Sequence, residues 1–117
     1  MFFKQKDLHI DQLDDNSSRE VLAYGDQLMN ARIFFKKGLD PETAIPVHNH
    51  PHVQTTYVLK GSFKFIIKYP DHDDIQVVKA GDGIYFPAQL FHGCIPLEDD
   101  SQLLDSFTPI RVDFLQA

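Results

Sequence analysis

The sequence predicts an all-β protein, a sandwich or barrel built from many short strands. Apolar and polar residues alternate in several stretches, as they do along a strand that has one buried face. Clusters of Gly, Pro, Asp and Ser interrupt these stretches at intervals of about ten residues, which is typical of short strands joined by turns. The chain contains no internal repeat, no low-complexity segment and no convincing stretch of helical periodicity.

Length and composition favour one domain over residues 1–117. The hydrophobic fraction is 43%, and ten Phe with no Trp predict an interior filled by Phe side chains. The formal net charge is −6, and there is no basic stripe, so we expect no nucleic-acid partner. An acidic surface also means that an anionic ligand must be held by local Arg or Lys side chains or by a metal ion.

The chain shows neither a long apolar run nor an apolar region near its start. We therefore expect no membrane partner and a cytoplasmic location. Cys94 is the single cysteine, which excludes an internal disulfide framework.

The first half of the chain begins with a polar segment. Residues 1–20 are predicted to form a surface arm or a short edge strand. Residues 21–24 are apolar and precede a turn at residues 25–26. Residues 27–37 then alternate like a strand, with one face formed by Met29, Ala31, Ile33 and Phe35. A turn rich in Gly, Asp and Pro follows at residues 38–42.

The second half of the chain contains the clearest strand, directly after Gly61. Its alternating apolar positions are Phe63, Phe65, Ile67 and Tyr69. The polar residues 70–74 predict a hairpin loop, after which the chain returns as a partner strand. Further strands are predicted over residues 75–79, 84–86, 92–97 and 102–107.

A pair of histidines precedes these strands. His48 and His50 are two positions apart, and Gln54 keeps the same parity, so all three side chains project from one face of an extended chain. Imidazole nitrogen suits Zn, Fe, Ni and Cu, and an amide oxygen is a weaker, neutral ligand. One more nitrogen ligand would complete a site with open positions, and His92, isolated in an apolar stretch, is the candidate. The alternative is a pair of exposed loop histidines.

The spacing of these residues resembles the two sequence motifs of the cupin family. The motifs fall on His48, His50, Gln54 and Gly61, and on Gly81, Pro87 and His92. The resemblance extends from about Gly25 to Leu115, and it implies a jelly-roll β-barrel with a metal ion inside its wider mouth. Two positions depart from the motifs. Gln54 stands where most cupins have Glu, which removes a negative charge, and Gln89 stands where a Gly is usual.

A second group of candidate residues lies near the end of the chain. Asp105 and Phe107 share parity, so on a strand they face the same side. If that side is the barrel interior, Asp105 is a carboxylate in an apolar cavity, which is costly unless the group is paired or functional. Arg111 follows Pro109 and could fold over the cavity mouth. The alternative is an Asp105–Arg111 ion pair that closes the barrel, and spacing alone does not decide between the two.

This late Asp-x-Phe-x-Pro-x-Arg run, together with the Gln-containing first motif, resembles the pectin-degradation cupins of the KdgF type. That family linearises 4,5-unsaturated monouronates, released by pectin or alginate lyases, to 5-keto-4-deoxyuronate. The resemblance implies one divalent transition metal per chain (Ni, Zn, Fe or Mn), with His48, His50, Gln54 and His92 as its ligands. It implies catalytic roles for Asp105, Phe107 and Arg111. It also implies a small anionic sugar as substrate.

Two other functions remain open from the sequence. One is a non-haem iron dioxygenase with three His ligands, and the other is a non-catalytic cupin that binds a sugar or another small molecule. His52 shares parity with the proposed ligands but follows Pro51, so we expect it at the rim of the site or in support of a ligand. The roles of Arg32 and Tyr57 are open between pocket and surface positions. Apolar residues occur on both faces of some strands, as Tyr57 and Leu59 do beside Val58, so we expect a homodimer.

Overall fold

Strands dominate the computed structural model, which describes residues 1–115. Nine strands and two short 3₁₀ helices occur in this range. The strands are β1 (Ile10–Gln12), β2 (Ser17–Tyr24), β3 (Met29–Phe35), β4 (Val53–Lys60), β5 (Ser62–Lys68), β6 (Asp73–Lys79), β7 (Gly83–Phe86), β8 (Phe91–Pro96) and β9 (Ser101–Thr108). The 3₁₀ helices are Gln5–Asp7 and Val112–Leu115. The predicted all-β class is confirmed.

The strands form two antiparallel sheets. The larger sheet has the order β1-β2-β3-β9-β4-β7, and the smaller has the order β6-β5-β8. Strand β9 therefore lies between β3 and β4, although it is the last strand in the chain. The buried core between the sheets consists of Val58, Phe63, Phe65, Ile67, Phe86 and Leu103. No helix within residues 1–115 is long and apolar enough to cross a membrane.

The predicted strands agree well with the observed ones after residue 20, but β2 begins earlier than expected. For residues 1–20 the sequence predicted either a surface arm or a short edge strand. Residues 10–12 do form an edge strand. Strand β2 starts at Ser17, inside that segment, and Ser17 and Glu20 are buried. These polar residues are accommodated because β2 pairs along its length with β3 and because Arg32 Nη2 lies 3.1 Å from Glu20 Oε1.

Gly61 makes the turn that takes the chain from the larger sheet to the smaller one. Its φ of +80° lies in the left-handed region that favours glycine. A Cβ atom at this position would lie 2.1 Å from the Oγ atom of Ser101, which is itself fully buried. A side chain at position 61 would therefore disrupt both the turn and its packing.

Candidate metal centre and acid–base site

A β-bridge between His48 and His92 brings the two predicted motifs together. The His48 amide donates to the His92 carbonyl (3.0 Å), and the His92 amide donates to the His48 carbonyl (2.9 Å). The next residue, Gly93, allows the close approach of this loop to β8. A Cβ atom there would lie 1.9 Å from the carbonyl oxygen of Pro46. Only glycine is compatible with this packing beside the histidines.

The turn before His92 forms even though Gln89 replaces the usual glycine. Gln89 adopts a φ of +70°, and its amide donates to the His50 carbonyl at 2.8 Å. The Asn49 side-chain amide donates to the Gln89 carbonyl at 3.1 Å. These bonds tie the turn to the histidine loop and hold a non-glycine residue in the left-handed region.

The three histidine rings cluster around one point. The ring centroids of His48 and His92 are 4.7 Å apart, those of His50 and His92 are 5.1 Å apart, and those of His48 and His50 are 5.7 Å apart. One ring nitrogen from each histidine lies within 4.8 Å of the others. This arrangement could hold a metal ion. The Phe86 ring stacks on His92 with a centroid distance of 4.2 Å and fixes its plane.

Hydrogen bonds orient two of these rings toward a common centre. Nδ1 of His50 lies 3.1 Å from the His52 carbonyl, and Nδ1 of His92 lies 3.2 Å from the Leu90 carbonyl. A carbonyl only accepts, so each Nδ1 carries the proton and each Nε2 keeps its lone pair. Both Nε2 atoms are buried and have no hydrogen-bond partner within residues 1–115. Buried, unpartnered nitrogen lone pairs of this kind suit a metal ion.

The protonation of the histidines also fits a metal site. Burial lowers the pKa of His48, His50 and His92, and the pKa of His92 falls to about 4. The rings also disfavour one another's charged forms. All three are therefore neutral near pH 7, which is the form that binds a divalent metal.

Gln54 lies between the histidines and a buried carboxyl group. Its Nε2 donates to the Thr56 hydroxyl at 2.9 Å, and that hydroxyl donates to Asp105 Oδ1 at 2.7 Å. Because the amide nitrogen is engaged by Thr56, the amide oxygen is left for another partner. The Gln54 side chain also influences the pKa of both His50 and Asp105, which places it beside each of them.

Thr56 is a residue that the sequence reasoning missed. It is 2% exposed, and in the β4–β9 ladder it lies directly opposite Asp105. Thr56 is two residues after Gln54, so on an extended chain the two side chains project from the same face, and this spacing could have indicated that Thr56 lies near the site. The identity of its partner was not available, because that depends on which strand lies next to β4.

Asp105 lines the cavity between the two sheets. Burial raises the pKa of its carboxyl group to about 6, and the bonds from Thr56 and Gln54 partly oppose this rise. A carboxyl group with this pKa can both accept and return a proton near neutral pH. The expectation that Asp105 faces the interior therefore agrees with the structure.

Arg111 reaches the same cavity but does not pair with Asp105. Its Nη2 lies 3.1 Å from Asp113 Oδ2, and its guanidinium carbon lies 4.4 Å from the Phe114 ring centroid. The ion pair considered as an alternative is therefore replaced by the Thr56–Asp105 and Arg111–Asp113 contacts. Phe107, 3% exposed, pairs opposite Gln54 and forms part of the wall.

The cavity has a volume of about 550 Å³ and is lined mainly by apolar groups. Its polar lining side chains include His48, Gln54, Thr56, His92, Asp105 and Arg111, and also Arg19 and Asp113, which the sequence did not single out. The structure thus brings the two groups of predicted site residues into one place.

The three remaining candidates from the sequence take different positions. Arg32 pairs with Glu20 and does not line the cavity, and Tyr57 is 47% exposed. The His52 ring packs edge-on to Phe107 at 6.3 Å, and its backbone carbonyl holds the His50 ring. His52 therefore supports the site from its rim.

Known proteins resemble this chain in both sequence and fold. The model of the cupin domain matches residues 37–104. The pectin degradation protein KdgF of Dickeya dadantii (strain 3937) is 32% identical over 105 residues, which cover 90% of this chain and 89% of that protein.

Solved structures extend the similarity over almost the whole chain. The structure of KdgF from Halomonas sp. has a TM-score of 0.82 at 27% identity, covering 97% of this chain and 99% of that one. An RmlC-like cupin from Shewanella frigidimarina has a TM-score of 0.81 at 30% identity, covering 97% and 94%. Both matches include the strands that carry the candidate site.

Proposed function

Since this chain belongs to the cupin family and is a homologue of KdgF, we propose that it is a metal-dependent enzyme that linearises 4,5-unsaturated monouronates to 5-keto-4-deoxyuronate. One observation carries the proposal. Asp105, a carboxyl group with its pKa raised to about 6, lines the same cavity as His48 and His92, two members of the three-histidine cluster, and is linked to Gln54 through Thr56.

The metal ligands in this proposal are His48, His50 and His92, with the amide oxygen of Gln54 as the fourth. A divalent transition metal held there (Ni, Zn, Fe or Mn) supplies a Lewis acid to the site. Because all four ligands are neutral, they leave the positive charge of the site uncompensated. This charge favours an anionic substrate over a neutral sugar.

Asp105 acts as the acid–base group. The substrate is a cyclic hemiacetal whose ring oxygen is attached to a carbon–carbon double bond. The Asp105 carboxylate takes the proton of the anomeric hydroxyl, the bond from the anomeric carbon to the ring oxygen breaks, and an aldehyde forms. The electron pair of the broken bond leaves with the ring oxygen as an enolate. The protonated Asp105 carboxyl group gives this proton to carbon 4, which converts the enolate to the ketone. The reaction is therefore an isomerisation, and Asp105 returns to its ionised starting state.

Arg111 and Phe107 bind and position the sugar. The planar guanidinium group of Arg111 suits the two oxygens of a carboxylate, whereas a Lys side chain offers only a point charge. Phe107 presents an apolar surface to the sugar ring beside Gln54. The apolar walls of the cavity limit access of water to the enolate.

The direct test is incubation of the metal-loaded protein with unsaturated galacturonate. We expect ultraviolet absorbance of the conjugated double bond to fall faster than in buffer, with formation of an aldehyde and a ketone. Asp105→Asn, with the same metal content, is the matched control and should remove most of the catalysed rate. An absorbance decay equal to that in buffer would contradict the proposal.

Two parallel measurements separate the alternatives. Oxygen consumption during turnover would indicate a dioxygenase, because ring opening requires no oxidant. Calorimetric binding of the uronate without any absorbance change would indicate a sugar-binding cupin that is not catalytic.

We also propose that the protein acts as a homodimer in the cytoplasm. Exposed apolar side chains on β4 and β7 support the dimer, with Tyr57 47% exposed and Tyr85 58% exposed. Apolar strand surfaces of this kind are typical of contacts between subunits. The single thiol, Cys94, would stay reduced in the cytoplasm.

A further inference from the structure

We propose that Arg19 is a second anion-binding residue of the cavity, which holds the substrate carboxylate together with Arg111 and selects uronates over neutral sugars. This inference rests on the proposed function and adds a specificity-determining residue to it. Arg19 lies in the segment that the sequence predicted to be an arm or an edge strand.

The sheet register directs Arg19 toward the cavity. In the β2–β3 ladder Arg19 lies opposite Ile33, and in the β3–β9 ladder Ile33 lies opposite Leu103, a buried core residue. Directly opposed residues project from the same face of a sheet, so Arg19 shares the inner face with them. Asp105 is two positions beyond Leu103 and therefore belongs to this face as well. Arg19 and Asp105 both line the cavity.

The hydrogen-bonding capacity of Arg19 is largely unused. Its side chain is only 15% exposed, yet its carboxylate contact, from Nη2 to Asp11 Oδ2, is long at 3.5 Å. Its Nε is buried and has no hydrogen-bond partner in the described part of the chain. A mostly buried cation is costly unless it is well paired, and a carboxylate ligand would supply the missing acceptors.

Phe114 holds the two arginines of the cavity at one place. The guanidinium carbon of Arg19 lies 3.5 Å from the Phe114 ring centroid, and that of Arg111 lies 4.4 Å from it. Contacts of this kind orient a guanidinium group and leave its N–H edge free to donate. Two such edges beside one ring can donate to both oxygens of a single carboxylate.

Local charge supports the same ligand class. The protein carries a formal net charge of −6, yet this side of the cavity presents two guanidinium groups. Asp113 compensates Arg111 at 3.1 Å, so Arg19 is the less compensated of the two. Because the rest of the protein is acidic and repels anions, an anionic ligand binds preferentially at this local positive charge.

The test uses the full-length, metal-loaded protein with Arg19→Met, Arg19→Lys and the control Arg32→Met. Arg32 is suited to this control because it also pairs with a carboxylate and has an unpartnered Nε among the described residues, but does not line the cavity. KM and kcat are measured with unsaturated galacturonate. Calorimetry compares binding of saturated galacturonate with binding of galactose.

We expect Arg19→Met to raise KM about 10- to 100-fold, the range for lost charge-assisted hydrogen bonds, with a much smaller change in kcat. The preference for galacturonate over galactose should fall by a similar factor, and Arg19→Lys should restore part of it. Arg32→Met should change neither quantity.

Parent-like KM and selectivity in Arg19→Met would overturn the inference, as would a parent protein that does not prefer galacturonate to galactose. If Arg19→Met does not fold, Arg19→Lys takes its place and must still weaken galacturonate binding relative to galactose. If the parent binds galacturonate through Arg19 but does not turn over the unsaturated sugar, the proposed reaction fails and the binding role of Arg19 stands.

Discussion

Thr56 donates a hydrogen bond of 2.7 Å from its hydroxyl to Asp105 Oδ1, across the ladder between β4 and β9. The Thr56 hydroxyl oxygen in turn accepts a hydrogen bond of 2.9 Å from the Gln54 side-chain amide. One buried hydroxyl thus fixes which way the Gln54 amide points and where the Asp105 carboxyl lies. Thr56 is therefore a positioning residue between a proposed metal ligand and the proposed acid–base group.

Replacing Thr56 by valine tests this relationship. Thr56→Val keeps the shape but removes the hydroxyl, so Asp105 and Gln54 each lose one buried hydrogen-bond partner. Loss of such a partner costs about 1–3 kcal/mol, so we expect kcat to fall about 5- to 100-fold and metal affinity to weaken. Thr56→Ser, which keeps the hydroxyl, should restore most of both. A Thr56→Val protein with parent kcat and metal affinity would show that the bonds are only structural.

The Asp105 carboxyl group should lower stability above pH 6. Its pKa is raised from 3.8 to about 6 in the folded protein, so folding favours the protonated form. Its stabilising contribution is complete below about pH 4 and is lost as the pH rises through about 6. Asp105→Asn removes this dependence and should be more stable than the parent at pH 8 by up to about 3 kcal/mol. Denaturant unfolding of both metal-free proteins should show equal stability near pH 4 and this difference at pH 8.

The same substitution should nearly abolish turnover. Loss of a general acid–base group typically lowers the rate by about two to four orders of magnitude, and we expect this for kcat of Asp105→Asn. In the parent, kcat should decline as the pH falls through about 6, because Asp105 must be ionised to accept the anomeric proton. Near-parent rates in Asp105→Asn with unchanged metal occupancy would exclude Asp105 as the acid–base group.

Gln54→Glu should separate metal binding from substrate binding. The carboxylate is a stronger ligand than the amide, so metal content measured by elemental analysis should stay at one ion per chain. The added negative charge should raise KM for unsaturated galacturonate, because the site becomes less attractive to an anion. Metal loss, or an unchanged KM, would disagree with the proposed role of Gln54.

Arg111→Lys should impair the reaction although it keeps the positive charge. The bidentate geometry of the guanidinium group and its stacking on Phe114 are both lost, and we expect kcat/KM to fall at least about tenfold. Arg32→Lys, on a residue outside the cavity, is the matched control and should behave like the parent. Similar kinetics for Arg111→Lys and the parent would mean that only the charge matters.

Assembly can be tested through the exposed tyrosines of the larger sheet. We expect small-angle scattering to give a dimeric mass for the parent at micromolar concentration. Tyr57→Glu places a charge on the proposed contact face and should shift the protein toward a monomer, whereas the same substitution at the exposed Gln76 is a control on the smaller sheet. A monomeric parent would refute the prediction.

The local spacing of residues in the sequence determined the positions of strands and the face on which several site residues lie. The alternation after Gly61 predicted β5, and the parity of His48, His50 and Gln54 predicted that their side chains share a face. The inference for β5 succeeds because side-chain direction along an extended strand depends only on the neighbouring residues. The rings of His48 and His50 also lie together, although residues 49–52 are not part of a strand. The spacing to His92 added the remaining histidine through its resemblance to the cupin motifs.

The tertiary structure decided which residues face one another. Strand β9 lies between β3 and β4, which places Asp105 opposite Thr56, and no local pattern encodes this pairing of distant segments. In the same strand order, β2 lies next to β3, and Arg19 on β2 lines the cavity although it belongs to the polar start of the chain. Hydrogen bonds between strands set these neighbours, and they form only when the whole sheet assembles.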